Sequence, residues 1–453
     1  MTQPAARSAW TNRWTFVMAT AGSAIGLGNI WKFPYMTGVN GGSAFVLVYL
    51  ACIVLVGVPL MMCEIMLGRR AQKNPLDGMA ALAKEAGASS QWKWIGGLGL
   101  VTGILILAFY SVIGGWVIRY IFHALLGSFS GANAAAISGI FNGMQSSIGT
   151  LLVWHSAFTV MTIWVVARGV NHGLEKASTI MMPSLFVILL VILAYSVING
   201  NFAQAMQFMF TPDFSKITPS AALSALGHAF FSLSLGMGVV MVYGSYLQRS
   251  VSIARTSIYV ATADTLVGLL VGVTIFSLVF AHHLEPGAGP GLIFHTLPLA
   301  FGQMWGGQVI GTLFFILVAF AAWTSSISLI EPAVSWLTEN GMESRAKAAW
   351  LVGGSSWLLG LTVVLSFNIW QDVKLVFGLG IFDTLDQLTT TIMLPLGGFL
   401  MTIFAGWVMY TDHVQDELGL DTRTYNIWRF IIRFITPLAI IAIFLFLLGL
   451  FNP

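Results

Sequence analysis

The stretch "AGSAIGLGNIWKFP", residues 21 to 34, lies inside a long hydrophobic run where an uninterrupted membrane helix would be expected. Three glycines, an asparagine, a lysine and a proline break the helical pattern. A break in lipid leaves unpaired backbone N–H and C=O groups, which are tolerated only where they face protein or a water-filled cavity. The stretch therefore predicts a discontinuous helix whose break lines a site inside the protein.

The composition is that of a polytopic membrane protein. The 453 residues are 57% hydrophobic and only 8% charged, which lies outside the range of soluble domains. Runs of roughly 20 apolar residues predict eleven spans, at 12–36, 43–68, 95–125, 151–167, 176–199, 220–247, 256–282, 307–337, 347–368, 384–411 and 425–450. The expected fold class is an all-α integral membrane protein in a lipid bilayer, and no nucleic-acid partner is expected.

Lysine and arginine are unevenly distributed between alternate segments. Of the 20, 16 fall on the same side as the N-terminus. Cytoplasmic loops hold such an excess, so the N-terminus is expected in the cytoplasm and, with an odd number of spans, the C-terminus outside the cell. The first ten residues lack a signal peptide's hydrophobic core, so the first span is expected to be retained in the inner (plasma) membrane.

The G-x-G run at 26–28 has a counterpart at 236–238, within "FFSLSLGMGVVMVYGSY". The same 210-residue shift maps the second to fifth spans onto the seventh to tenth. Each half then holds five spans, and the second copy enters the membrane inverted. The expected organisation is a cytoplasmic segment 1–10, a first repeat 11–199, an inverted repeat 220–411 and a last span 425–450.

Inverted repeats with glycine-interrupted helices in matching positions are typical of secondary transporters. The alternative is that the glycines only mark close helix contacts. The two ends at a break differ electrostatically, because the first half-helix presents carbonyl oxygens and the second presents free N–H groups. One break could therefore bind a cation and a carboxylate together.

Oxygen-bearing groups suited to Na⁺ surround the predicted breaks. They are the carbonyls of residues 22 to 25 and the side chains of Asn29, Ser232, Thr324 and Ser325. The amides of Leu27 and Gly28 would suit the carboxylate of an amino acid, and its ammonium could bind the carbonyls of Ala24 and Phe231 with the Ser234 hydroxyl. The alternative for the hydroxyls of "WTSSIS", 323–328, is hydrogen bonding within their own helix.

Four motifs resemble the neurotransmitter:sodium symporters, particularly their bacterial amino-acid members of LeuT type. They are "AGSAIGLGNIWKFPYMTGVNGGSAF", "GVPLMMCEIMLGR", "FFSLSLGMG" and "AAWTSSIS". The resemblance implies a LeuT-type 5+5 inverted repeat with discontinuous helices 1 and 6, in an eleven-helix variant of a family that commonly has twelve. It also implies sodium-coupled symport. No GxSxG or HExxH motif is present, so an enzyme is not expected.

The resemblance implies two Na⁺ sites. One would be formed by Gly22, Ile25, Ala321, Thr324 and Ser325, and the other by Ala24, Asn29, Ser232, Asp264 and the substrate carboxylate, which would couple ion to substrate.

Asp264 stands where chloride-dependent members carry asparagine, near Tyr49, His228, Ser232 and Gly268. Its fixed charge could replace the anion, so no chloride requirement is expected. The alternative is a protonated, hydrogen-bonded structural acid, although intramembrane acids are functional by default.

The substrate site implied by the resemblance comprises Ala24, Gly26, Leu27, Gly28, Ile106, Tyr110, Phe231, Ser232, Ser234, Met237, Ser325 and Leu329. Glycine at position 26, where monoamine transporters have aspartate, favours an amino acid. The pocket for the substrate side chain contains no countercharge, so hydrophobic L-amino acids, aliphatic or aromatic, are the expected substrates.

Two gates complete the prediction. Lys32 with Asp386 would close the outside, and Arg7 with Glu339, beside Trp10 and Tyr246, would close the inside. Either could instead be a surface pair worth under ~1 kcal/mol. The combined interpretation is import by alternating access with two Na⁺ per substrate. The alternatives are a non-transporting substrate sensor and an ion channel of the same fold, and no oligomeric state is predicted.

Overall fold

The computed structural model describes residues 10–285 and 291–447, apart from the side chains of Phe377 and Leu447. The regular secondary structure of these residues is helical throughout. The principal helices are α1 (Arg13–Ala24), α2 (Phe33–Val39), α3 (Ser43–Ala71), α4 (Ser90–Leu125), α5 (Ile148–Ala167), α6 (Val170–Asn199), α7 (Pro219–Ser232), α8 (Val239–Gly244), α9 (Ile253–Ala281), α10 (Gly307–Glu339), α11 (Arg345–Ser366), α12 (Ile381–Val408) and α13 (Thr422–Phe446). Shorter helices at Pro75–Glu85, Ala134–Ser146, Phe202–Phe210, Leu297–Gln303 and Thr411–Leu418 connect them.

Nine helices in the described ranges are long and apolar enough to cross a membrane: α3 to α6 and α9 to α13. They coincide with nine of the predicted spans. The other two predicted spans, 12–36 and 220–247, are each divided into two short helices, as the glycine runs predict. None of these four short helices reaches the roughly 20 residues needed to span the hydrocarbon core alone.

The first interruption separates α1 from α2. Helix α1 begins with a capping box, in which Asn12 and Thr15 satisfy each other's backbone N–H groups. It ends at Ala24, where Ile25 turns to an extended conformation with φ −71° and ψ 95°. A π-helical turn, Gly28–Lys32, then leads into α2. Pro34 lies in the first turn of α2, directly after the π-helical turn.

The second interruption, between α7 and α8, requires left-handed backbone. Ser234, Gly236 and Gly238 have φ values of 55°, 85° and 75°. A Cβ atom on Gly236 would lie 2.0 Å from the carbonyl oxygen of Leu394, so only glycine fits there. The Gly236 N–H donates to a Glu64 carboxylate oxygen at 2.5 Å, which satisfies a backbone group that the break frees.

Among the nine long helices of the described residues, α4 and α10 are the most deeply buried. Glycines allow close backbone approach around them: a Cβ on Gly103 of α4 would lie 2.3 Å from the Leu329 oxygen of α10. Helix α1 packs against α6, α9 and α10. This packing holds both interruptions inside the protein, next to α10.

Candidate functional site

The two interruptions and α10 meet at the backbone carbonyl of Ser23. The Ser234 hydroxyl, from the second interruption, donates to this oxygen at 2.9 Å. The Ser325 hydroxyl, from α10, lies 3.2 Å from the same oxygen. All three residues are buried. The structure therefore brings into one place three segments that are more than 80 residues apart in the sequence.

The residues predicted for the first Na⁺ site lie together beside this point. The Ser325 hydroxyl is 3.4 Å from the Gly22 oxygen and 3.5 Å from the Ile25 oxygen. The Thr324 hydroxyl donates to the Ala321 oxygen at 3.1 Å and to the Phe320 oxygen at 3.0 Å. Thr324 therefore also makes the bond within its own helix that the alternative interpretation expects. The donor set, carbonyl and hydroxyl oxygens only, suits a hard monovalent cation.

Three of the residues predicted for the second Na⁺ site form a buried polar cluster around Asp264. Ser232 Oγ donates to Asp264 Oδ2 at 2.7 Å, Asn29 Nδ2 to Oδ1 at 2.8 Å, and Tyr49 Oη to Oδ2 at 3.4 Å. Asn29 Oδ1 accepts from the Gly26 N–H at 3.1 Å. Ala24, the fourth residue, is buried at the end of α1. These donors would compensate the burial of a negative charge if Asp264 is ionised, as the charged form is unfavourable in a buried site without them.

The other residues predicted around a chloride position lie against the same cluster. The His228 ring is 5.3 Å from the Tyr49 ring. Neither imidazole nitrogen of His228 has a hydrogen-bond partner in the described ranges. A Cβ on Gly268 would lie 3.7 Å from Asn29 Nδ2. The five residues predicted around a chloride position therefore lie in one buried region: Tyr49, His228, Ser232, Asp264 and Gly268.

Ten of the twelve predicted substrate residues line one small cavity of about 20 Å³. They are Ala24, Gly26, Gly28, Ile106, Tyr110, Phe231, Ser234, Met237, Ser325 and Leu329. The volume is little more than that of one water molecule, so the walls must separate to admit an amino acid. The cavity leaves no room for a side chain at position 26. A Cβ atom there would lie 2.4 Å from Ser325 Oγ and 2.8 Å from Tyr110 Oη.

Two predicted substrate residues lie outside the cavity, and one that sequence analysis missed lies inside. The Leu27 N–H donates to Tyr110 Oη at 3.1 Å, while its side chain lines a separate outer cavity. The Ser232 hydroxyl turns to Asp264 instead. Ser23, in the last turn of α1, also lines the cavity. It was not among the predicted substrate residues, although the glycine-rich stretch at residues 21–34 contains it.

The two residues predicted to form the outer gate lie within ion-pair distance of each other. Lys32 Nζ lies 3.3 Å from Asp386 Oδ1 and 4.7 Å from the centroid of the Phe231 ring. The side chains of Lys32 and Asp386 are 26% and 33% exposed, so the pair is weak and can open. An outer cavity of about 240 Å³ lies above. Tyr110 and Phe231 line both cavities and so separate them.

On the side of the protein predicted to face the cytoplasm, Trp10 is only 2% exposed. Its backbone N–H donates to the Tyr246 oxygen at 3.3 Å and its indole N–H to the Tyr243 oxygen at 3.1 Å. Arg7 lies outside the described residues, and with it the predicted pair with Glu339. The Glu339 carboxylate accepts from the Asn74 backbone N–H at 2.9 Å.

A buried network that sequence analysis did not predict joins this inner side to α11. Tyr246 Oη donates to Glu331 Oε1 at 2.9 Å, and Arg345 forms an ion pair with the other Glu331 oxygen. Arg345 Nε also donates to the Val166 oxygen at 2.9 Å. Glu331 was recognisable as an intramembrane acid, but its partners come from other helices.

Comparison with known proteins identifies the family. A family model described as "Sodium:neurotransmitter symporter family" matches residues 7–136 and 134–453. The chain belongs to the sodium:neurotransmitter symporter family. It is 38% identical over 451 residues to an uncharacterized sodium-dependent transporter, YhdH, of Bacillus subtilis, with 98% of each chain covered. It is 33% identical over 447 residues to an uncharacterized sodium-dependent transporter of Haemophilus influenzae, covering 97% of this chain and 98% of the relative.

A solved structure shows the same fold. The crystal structure of MhsT in complex with L-phenylalanine superposes with a TM-score of 0.90 at 40% identity, covering 97% of this chain and 99% of MhsT. These similarities confirm the predicted family and the prediction that the protein is not an enzyme. The protein is a multi-pass, sodium-coupled membrane transporter.

Proposed function

We propose that this transporter imports hydrophobic L-amino acids, aliphatic and aromatic, by alternating access. The observation that carries the proposal is the small cavity between the two helix interruptions, whose lining includes Ser234, Ser325 and the glycines of the first interruption. Ile106, Phe231, Met237 and Leu329 form an apolar region of its wall. The L-phenylalanine bound to MhsT supports an amino-acid substrate.

Two Na⁺ ions per substrate would supply enough free energy for concentrative uptake. One charge moving through ~100 mV is worth about 2.3 kcal/mol, and a tenfold Na⁺ gradient adds about 1.4 kcal/mol. Two ions therefore supply about 7 kcal/mol, which would concentrate a zwitterion about 10⁵-fold, whereas one ion would give about 500-fold. The oxygen groups near Ser325 and near Asp264 are our candidates for the two ion positions.

Chloride independence is proposed from Asp264. Its carboxylate is buried within 2.7 Å of the Ser232 hydroxyl, and a fixed negative charge there would stabilise a neighbouring Na⁺ without a bound anion. The transporter would then need sodium and not chloride.

The proposed architecture has eleven spans, with the segments 11–199 and 220–411 as inverted repeats and helices 1 and 6 discontinuous. The two interruptions, which follow Ala24 and Ser232, support it. In this arrangement Lys32 and Asp386 act as the outer gate, Trp10 and Tyr246 close the inner side, and Arg7 with Glu339 completes the inner gate.

The test is uptake of radiolabelled leucine, phenylalanine and tryptophan into proteoliposomes under an inward Na⁺ gradient. One arm replaces sodium by potassium and another replaces chloride by gluconate. Uptake that requires sodium and ignores chloride would support the proposal. Uptake unaffected by removing sodium would refute it. Sodium-dependent binding without uptake would instead indicate a sensor, and non-saturating ion flux would indicate a channel.

A further inference from the structure

A groove of about 510 Å³ lies between α3 and α9, away from the transport cavity. Its walls include Val54 and Val58 of α3 and Ile258, Thr262 and Leu266 of α9. Val54, Ile258 and Leu266 are 65%, 50% and 47% exposed. In a membrane protein such apolar exposure faces lipid, so the natural occupant of the groove is an acyl chain.

The groove continues toward the cytoplasmic end of α9 along one helical face. Arg255, Tyr259, Thr262 and Leu266 follow one another at intervals of four, three and four residues, so they form one stripe. All four are exposed. The apolar groove therefore has a cationic residue at its cytoplasmic end.

A second arginine, Arg13 of α1, lies beside Tyr259 of this stripe. The Arg13 guanidinium lies 4.8 Å from the centroid of the Tyr259 ring. Trp14 stacks on that ring at a centroid distance of 6.1 Å and is 60% exposed. Tryptophan and tyrosine with exposed rings are typical of the membrane–water interface. Arg13 and Arg255 therefore lie at headgroup depth.

The hydrogen-bond donors of Arg13 are incompletely satisfied by the protein. Its Nε and Nη2 atoms are buried without a partner in the described ranges. No carboxylate there forms an ion pair with Arg13 or Arg255. Glu175, which approaches Thr11, binds the Thr11 N–H and Asn171 instead. The guanidinium charge of Arg13 therefore has no carboxylate partner among the described residues, and an anionic ligand at the accessible part of the group could supply one.

We propose that an anionic glycerophospholipid of the cytoplasmic leaflet binds here, with its phosphate at Arg13 and Arg255 and an acyl chain in the groove. The ten residue-to-residue steps from Tyr259 to Leu269 rise about 15 Å, which is half of the ~30 Å hydrocarbon core and thus one leaflet. Anionic lipids are attracted to basic residues at the cytoplasmic surface. The lipid would join α1, which forms the first interruption, to α9, which carries Asp264.

The test is native mass spectrometry of the full-length protein in detergent with added phosphatidylglycerol or phosphatidylcholine of identical acyl chains. The wild type is expected to retain phosphatidylglycerol preferentially. Substituting both Arg13→Gln and Arg255→Gln should lower phosphatidylglycerol adducts at least about fivefold and leave phosphatidylcholine adducts unchanged. Thr262→Trp, which fills the groove, should lower adducts of both lipids.

Arg168→Gln is the matched control, because Arg168 also lies over an aromatic ring, 3.6 Å from the centroid of Trp164 at the cytoplasmic end of α5. This variant should retain lipid like the wild type. Equal phosphatidylglycerol adducts in the wild type and the double variant would overturn the proposal, as would an equal loss in Arg168→Gln. If the double variant fails to fold, Arg255→Gln alone decides the question, because Arg255 is exposed.

Discussion

The glycine-rich break has two interpretations, a substrate-binding site and a close contact between helices. They give different predictions for Gly26. A Cβ atom there would lie 2.4 Å from Ser325 Oγ and 2.8 Å from Tyr110 Oη. We predict that Gly26→Ala raises the substrate concentration for half-maximal uptake about tenfold, because overpacking costs about 1–3 kcal/mol. Concentration-dependent uptake in proteoliposomes measures this change.

The control for Gly26→Ala is Gly227→Ala, in α7, where an added Cβ would meet nothing within 4 Å. It should leave the concentration dependence of uptake unchanged. Normal substrate affinity in Gly26→Ala would show that Gly26 serves helix packing and does not limit the substrate cavity.

Asp264 gives a second prediction for a single residue. Asp264→Asn removes the proposed fixed negative charge while retaining hydrogen-bonding groups toward Ser232 and Asn29. We expect uptake in chloride-free medium to fall about tenfold or more, since a charge a few ångströms away is worth several kcal/mol, and added chloride to restore part of it. Measuring uptake across a chloride–gluconate series checks both effects.

The carboxylate of Asp213 supplies the comparison, because it lies at the surface with 45% of its side chain exposed. Asp213→Asn should leave uptake insensitive to chloride. If Asp264→Asn transports normally without chloride, the charge of Asp264 has no part in sodium binding and the structural-acid alternative holds.

The segment between α7 and α8 tolerates few substitutions, because its backbone is left-handed and closely packed. Gly236 has φ 85°, and a Cβ there would lie 2.0 Å from the Leu394 oxygen. Left-handed backbone alone costs an L-residue about 1–2 kcal/mol, and the clash adds to it. We predict that Gly236→Ala lowers the thermal unfolding midpoint and abolishes sodium-dependent substrate binding, measured by thermal-shift and scintillation-proximity assays.

Gly354→Ala tests whether that loss is specific, because Gly354 lies in α11 with nothing within 4 Å of an added Cβ. Alanine there should leave the midpoint unchanged or raise it slightly. A Gly236→Ala protein as stable and as active as the wild type would contradict the geometry of the second interruption.

The proposed outer gate joins two residues that are 354 positions apart in the sequence. Lys32→Gln removes the pair with Asp386 and the contact with Phe231. We expect bound substrate to dissociate toward the outside about three- to fivefold faster, as an exposed pair is worth under ~1 kcal/mol. Release of preloaded radiolabelled substrate measures the rate.

Lys216 forms a similar exposed pair, with Nζ 3.7 Å from Asp213 Oδ2, and Lys216→Gln controls for the loss of a surface charge. It should not change the release rate. Equal release rates for Lys32→Gln and the wild type would remove the Lys32 pair from the gating mechanism.

The orientation of the chain in the membrane gives the final prediction. With the N-terminus in the cytoplasm and eleven spans, alkaline phosphatase fused after Pro453 should be active in bacterial cells, because it reaches the oxidising exterior. The same enzyme fused after Gly341, in the loop that follows α10, should be inactive. The reverse pattern would overturn the predicted orientation.

The membrane class, the spans that form the nine long helices of the described residues and the positions of both interruptions could be predicted from the sequence, because hydropathy, glycine and proline act over a few neighbouring residues. The family could be predicted from four sequence motifs. Tertiary structure alone decided which groups complete one another: Glu64 with Gly236, Ser23 with Ser234 and Ser325, and Glu331 with Tyr246 and Arg345. These partners lie on different helices. Their pairing depends on how the helices pack, which no local pattern specifies.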